Sequence, residues 1–228
     1  MDRRGHDAGE TQRDLKTVQL ISLPVSPFAA RVRIALRAKG LDAEIVPPPA
    51  GWPHNTQYRD ISPMGRVPAL LLDDGETIWE SAVIVEALED LFPDAPPLLP
   101  REPLARARAR LLVRCADLYL MPPMVALAGQ ADEQEARRRV EDLLDALNVV
   151  DRMLEDGPYA VGGMLTIADC ALAPVLFASR VTGERLGIDL AAGLPALTAY
   201  AAALQDHQHI APVLAEMEEG LRRLVRTA

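Results

Sequence analysis

Val25-Ser26-Pro27-Phe28-Ala29-Ala30-Arg31-Val32-Arg33-Ile34-Ala35-Leu36 carries an apolar helical pattern with its punctuation in place. Pro27 suits a first helical turn, where the missing N–H costs nothing, and Gly40 stands just past Lys39, where a left-handed residue can close the last turn. The composition therefore predicts a helix over 27–39. Ahead of it, residues 17–22 read as a strand, so Ser26 lies between a strand and a helix. A hydroxyl at that point has two uses. It caps the helix by accepting from a free N–H, the commonest use of serine there. The remaining unpaired N–H groups and the positive end of the helix dipole also favour an anion beside it.

Working outward, residues 42–46 read as a second strand and 51–60 as a loop with one short helix. Residues 69–72 and 76–78 form a hairpin through Asp73-Asp74-Gly75, a turn that tolerates φ > 0, and 81–91 is a further helix. The order β-α-β-α-β-β-α over residues 17–92 predicts a thioredoxin-like α/β domain with a mixed β-sheet. Residues 93–103 form a proline-rich linker, since repeated proline removes donors and fixes φ. Beyond it only helical periodicity remains. Val140, Leu143, Leu144, Leu147, Val150 and Leu154 recur at helical spacing, and residues 104–127, 166–179, 195–204 and 211–225 behave alike. Residues 104–228 thus read as an all-α, five-helix bundle. Residues 1–16 are polar, without the apolar stretch of a secretory signal, and read as a disordered arm.

Composition narrows the function. The 228 residues are 49% hydrophobic and carry a formal net charge of −9. That balance gives no basic face for nucleic acid and disfavours an anionic membrane surface. No apolar run approaches the roughly 18–20 residues that span a bilayer. Cys115 and Cys170 stand far apart and form no disulfide framework, which points to a reducing, cytoplasmic setting. His207 and His209 have no third ligand at usable spacing, so no metal site is expected. Arg137-Arg138-Arg139 reads as a solvated helix face.

Three further segments join the first. Ile61-Ser62-Pro63-Met64-Gly65-Arg66-Val67-Pro68-Ala69-Leu70 places a proline at the head of a strand. An ordinary trans bond is the commoner state there; Val67–Pro68 is expected to be cis if the segment is to turn the N–H and C=O of Val67 outward to pair with an extended peptide. Trp79-Glu80-Ser81 begins the next helix, and Ser81 can offer hydroxyl and N–H to a carboxylate. In Val161-Gly162-Gly163-Met164-Leu165-Thr166-Ile167-Ala168-Asp169, Thr166 and Asp169 have the spacing of a capping box, which builds a core helix and no active site.

Taken in this order, the four segments resemble the glutathione S-transferase superfamily over about residues 17–225, with the first most similar to zeta- and omega-type members. The resemblance implies that Ser26 meets the sulfur of glutathione, a cosubstrate. It implies that Val67 and Pro68 present the backbone to its cysteinyl unit and that Glu80 and Ser81 hold the γ-glutamyl end. It further implies glutathione contacts at Phe28, Arg66 and His54, His54 toward the glycine carboxylate. An electrophile pocket is expected at Tyr119, Met121, Pro122 and Met124, and a homodimer as the assembly. Zeta-type members carry Ser-Ser-Cys where this chain has Ser26-Pro27-Phe28, and omega-type members Cys-Pro at Ser26-Pro27. The departure weighs against maleylacetoacetate isomerisation and thiol–disulfide exchange. The leading expectation is a serine-type transferase acting on a small hydrophobic electrophile. Its rivals are a zeta-like isomerase or dehalogenase, and a non-catalytic regulatory or scaffold member of the fold.

Overall fold

The computed structural model describes residues 18–129 and 132–227. The expected arm at 1–16 and the first residue of the expected first strand lie outside the described residues. Four strands, β1 (Val18–Ile21), β2 (Ala43–Val46), β3 (Ala69–Leu72) and β4 (Thr77–Trp79), form one sheet in the order β2-β1-β3-β4. β1 runs parallel to β2 and antiparallel to β3, and β3 is antiparallel to β4, which is the mixed sheet expected. Helix α1 spans Pro27–Lys39, with Ser26 as its N-cap and Gly40 left-handed at φ 65°. Helix α2 spans Ser81–Leu91.

One expected element is smaller. Between β2 and β3 the chain makes only a 3₁₀ turn, Gln57–Asp60. Pro47, Pro48, Pro49 and Pro53 leave that connection too few backbone donors for a helix. Asn55 instead caps the short turn by accepting from the Tyr58 N–H at 3.0 Å. The proline-rich segment 93–103 is irregular and firmly fastened. Glu89 on α2 accepts from the N–H groups of Leu98 and Leu99 and pairs with the buried Lys39, while Ile167 N–H donates to the Leu98 carbonyl.

The helical part begins with a run of three pieces: α3 (Pro103–Cys115), a π-helical turn at Ala116–Leu120, and α4 (Met121–Ala128). Pro122 and Pro123 cannot donate, so the ladder must loosen just before them, and the π turn absorbs the mismatch. The first of the five expected helices is thus two helices joined by a bulge. This run, Pro103–Ala128, also contains a window apolar and long enough to cross a membrane, which corrects the sequence reading that finds none. Half of that window is buried in the fold.

Helices α5 (Glu133–Met153), α6 (Ile167–Leu186), α7 (Pro195–Gln205) and α8 (Ala211–Thr227) complete the bundle. α6 is the axis, with every residue from Ile167 to Phe177 buried, and it packs on α1 and α3. Its N-terminus is the expected capping box. Asp169 is fully buried and accepts from Ala160 N–H, Thr166 N–H, the Thr166 hydroxyl and the Tyr200 hydroxyl, all between 2.7 and 2.9 Å. Burial pushes its carboxyl pKa up, and the four donors oppose the rise. Asp169→Ala orphans buried donors worth about 1–3 kcal/mol each. Urea unfolding should therefore show a loss of about 3 kcal/mol or more, with Ser26, Val67 and Ser81 untouched.

Candidate functional site

The strand register gathers the candidate residues. Ile21 on β1 pairs with Ala69 on β3, and Ala69 pairs with Trp79 on β4, so these three form one row at one edge of the sheet. The loop to Ser26 leaves from Ile21, Val67 and Pro68 arrive at Ala69, and Glu80 and Ser81 leave from Trp79. Two strand spacings cover about 10 Å, close to the reach of an extended tripeptide.

At the first position the Ser26 backbone is extended, at φ −79° and ψ 117°, and its Oγ accepts from the Ala29 N–H at 3.2 Å. Capping uses an oxygen lone pair. It leaves the hydroxyl hydrogen free to donate. Pro27 has no N–H and Ala29's is taken, so Phe28 supplies the free backbone donor of this turn. The loop itself is gripped by Arg33, which donates to the Ser22 hydroxyl at 2.9 Å and to the carbonyls of Leu23 at 3.1 Å and Pro24 at 2.9 Å.

At the second position Val67–Pro68 is cis, as expected. The turn before it is pinned at Arg66: the Tyr58 and Ser62 hydroxyls both donate to the Arg66 carbonyl at 2.9 Å, and the Arg66 N–H donates to Ser62 Oγ at 3.2 Å. Trp52 adds a bond from Nε1 to the Gly65 carbonyl at 2.9 Å. Burial of Tyr58 raises its phenol pKa, which keeps it a donor. Among the described residues nothing engages the N–H or C=O of Val67. The exposed side chains of Arg66 and of His54, on the adjoining loop, are likewise uncommitted.

At the third position Glu80 has φ 70°, the one positive φ outside glycine among the described residues. Such a conformation costs about 1–3 kcal/mol and persists where the surroundings demand it. It turns the chain into α2, whose first helical bond is Ile84 N–H to the Glu80 carbonyl, so the N–H groups of Ser81, Ala82 and Val83 stand free of the helix ladder. Ser81 is 4% exposed, and its Oγ accepts from Arg31 at 3.3 Å. Arg31, at 2% exposure, is bound in turn by both carboxylate oxygens of Asp117, at 3.2 and 2.5 Å. As at Ser26, the accepting role leaves the Ser81 hydroxyl hydrogen free.

The sequence reading overlooked Arg31, Asp117, Arg33, Tyr58 and Ser62. One signal was available: two arginines in an otherwise apolar stretch, 28–36, and a lone acid, Asp117, in 103–128. The expected electrophile pocket needs correcting. Met121 and Met124 are 5% and 4% exposed and belong to the core, with the Met124 sulfur accepting from the Ser179 hydroxyl. Tyr119 and Pro122 border a groove of about 430 Å³ between the long helical run and α5, whose walls include none of Ser26, Val67 or Ser81. The cause is rotational: Asp117 must face Arg31 on α1, which turns Tyr119, two residues on, to the opposite side.

Models of the N-terminal and C-terminal domains of glutathione S-transferase match residues 25–91 and 133–203. The maleylacetoacetate isomerase of Pseudomonas aeruginosa is 36% identical over 177 residues, covering 72% of this chain and 81% of its own. The chain belongs to the glutathione S-transferase superfamily. The maleylacetoacetate isomerase of Rattus norvegicus is 33% identical, with 70% of this chain and 75% of its own covered. The crystal structure of rice GST1 in complex with glutathione aligns at a TM-score of 0.80 and 27% identity, covering 91% of this chain and 94% of its own. Within the superfamily this chain is zeta-like.

The Arg31–Asp117 pair yields a direct test. Removing one member of a buried pair typically costs about 3–5 kcal/mol, because the other charge is stranded. Asp117→Ala should lower stability in denaturant unfolding by about that amount. Replacing both residues with apolar ones, Arg31→Met with Asp117→Leu, should recover much of the loss.

Proposed function

We propose that this chain is a glutathione S-transferase in which the Ser26 hydroxyl donates to the glutathione thiolate and readies it for attack on a small hydrophobic electrophile. The carrying observation is the free hydroxyl hydrogen of Ser26, whose oxygen is already fixed by the Ala29 N–H. A thiol of pKa about 8.5 is only a few per cent thiolate at neutral pH. Lowering that value by about two pH units requires about 2.7 kcal/mol of preference for the anion. A hydrogen bond to a charged group supplies about 1.5–3 kcal/mol and the α1 dipole about 0.3–1 more. The serine need not ionise. In this reading the cysteinyl backbone pairs with Val67, while the γ-glutamyl carboxylate takes the Ser81 hydroxyl and the free N–H groups of α2. Its amino group meets Glu80, and the glycyl end lies toward Arg66 and His54.

The curated relatives named maleylacetoacetate isomerase favour a second reading. In it the same thiolate adds to an activated double bond, the resulting single bond rotates, and elimination returns glutathione unchanged. Product analysis separates the two, since a transferase consumes glutathione and an isomerase does not.

The chain is also proposed to work as a homodimer. Leu104, Leu111, Leu118 and Val125 recur every seven residues along the α3–α4 run and are 69%, 52%, 48% and 60% exposed. Exposed apolar surface so aligned supports a self-association face. Both cysteines are free and buried, which suits a reducing, cytoplasmic setting.

Three measurements follow. Ser26→Ala should raise the pKa of bound glutathione and cut turnover at neutral pH by about 10–100-fold, for about 1.4–2.8 kcal/mol lost. Part of that loss should return as the pH rises, because the thiolate then forms unaided. An unshifted pH–rate profile would leave Ser26 a cap alone. Ser81→Ala should weaken glutathione binding by calorimetry, by about 1.5–3 kcal/mol, and a wild type that binds none would point to a scaffold. Leu111→Glu with Leu118→Glu should yield a monomer in sedimentation analysis.

A further inference from the structure

The loop that carries Ser26 has one backbone hydrogen bond of its own, from the Ser26 N–H to the Leu23 carbonyl at 3.1 Å. It runs from the end of β1 through Ser22, Leu23, Pro24 and Val25, where Pro24 lacks an N–H, and its carbonyls at Leu23 and Pro24 are both held by Arg33. Arg33 is 5% exposed, and its Nε lies 3.2 Å from Glu216 Oε2 on α8, an ion pair that reaches from the loop into the last helix. One turn further along α8 stands Gly220. A Cβ added there would lie 2.8 Å from Val25 Cγ1 and 3.0 Å from Pro24 Cβ, closer than side chains pack. Glycine inside a helix costs stability relative to alanine, so its place in α8 needs a local reason. The close approach of the α8 backbone to Pro24 and Val25 supplies one.

We propose that α8 positions the Ser26 loop: Gly220 lets the helix seat directly on Pro24 and Val25, Glu216 holds it there through Arg33, and together they fix the Ser26 hydroxyl against the glutathione sulfur. The proposal rests on the reading of Ser26 as the thiolate's donor. Glu216 and Gly220 touch neither sulfur nor electrophile in this arrangement and act only through the loop. Ser81, Val67 and the γ-glutamyl end belong to other segments, so α8 governs reactivity of the sulfur and leaves affinity for glutathione alone.

That split is the test. Gly220→Ala, Gly220→Val and Glu216→Gln are compared with wild type and with Ser26→Ala. Glutathione is the probe for calorimetry and thiolate absorbance, and a chromogenic electrophile for turnover. The expected result for Gly220→Val is a fall in kcat at neutral pH of about 10-fold. The rising limb of the pH profile should move to higher pH, with glutathione affinity within about 2-fold of wild type, since the anchoring contacts at Ser81 are intact. Glu216→Gln, which keeps the shape and removes the charge, should give a smaller shift of the same sign. Adding Gly220→Val to Ser26→Ala should move the profile no further, because the residue acted upon is gone. Should Gly220→Val not fold, Gly220→Ala and Glu216→Gln carry the comparison. A wild-type profile in all the α8 variants, alongside a shifted one in Ser26→Ala, overturns the proposal and spares the Ser26 reading. Loss of affinity in step with loss of turnover also overturns it, since α8 would then support the fold in general. An unshifted Ser26→Ala profile removes the Ser26 reading and the proposal with it.

Discussion

A guanidinium at 2% exposure has to be answered, and the answer at Arg31 ties three parts of the chain together. Asp117 binds it from the α3–α4 run and Ser81 from the start of α2, while Arg31 itself sits on α1. Desolvating such a charge costs several kcal/mol, repaid only in good geometry. The two parts of the chain are therefore held at one angle, and the edge of the sheet that carries Ser26, Val67 and Ser81 faces the helical part in one way. The π turn belongs to the same constraint, because Asp117 lies within it. Pro122 and Pro123 demand a loosened ladder, and the loosened turn is where the chain aims its carboxylate at Arg31.

The same logic makes Ser26 and Ser81 alike. Each accepts one hydrogen bond from the protein, from the Ala29 N–H and from Arg31 respectively, and each keeps a hydrogen to give. Capping and catalysis at Ser26, alternatives when only the sequence is in view, are compatible in the folded chain because they use different parts of one hydroxyl. Accepting a bond polarises the O–H and strengthens it as a donor. Preorganisation at Val67 is of another kind: its neighbour Arg66 has its carbonyl filled by Tyr58 and Ser62, so the pairing groups on offer are those of Val67.

Much of this was legible in the sequence. The limits of α1, α2 and β3, the capping box at Thr166 and Asp169, and the positions Ser26, Val67-Pro68 and Glu80-Ser81 all depend on neighbours a few residues away. Proline at a first turn, glycine past a last one and a hydroxyl before a helix act locally, so local reading finds them. The short helix expected in the loop before β3 is present as a single 3₁₀ turn, Gln57–Asp60, because a run of prolines leaves too few donors for anything longer. The apolar pocket was misread because the facing of Met121, Met124 and Tyr119 depends on how the whole α3–α4 run is rotated. A buried ion pair 86 residues apart in the chain sets that rotation.

By itself, then, the sequence determined the order of elements, their ends and the residues that cap them, because each is a contest among backbone hydrogen bonds within one turn. The tertiary structure alone decided which charges would be buried and what would answer them. It also decided that Ile21, Ala69 and Trp79 would share a row, and that a glycine in the last helix would rest against the loop before Ser26. Those outcomes follow from packing between segments far apart in the chain, where a contact gains its energy only once both sides have already been placed.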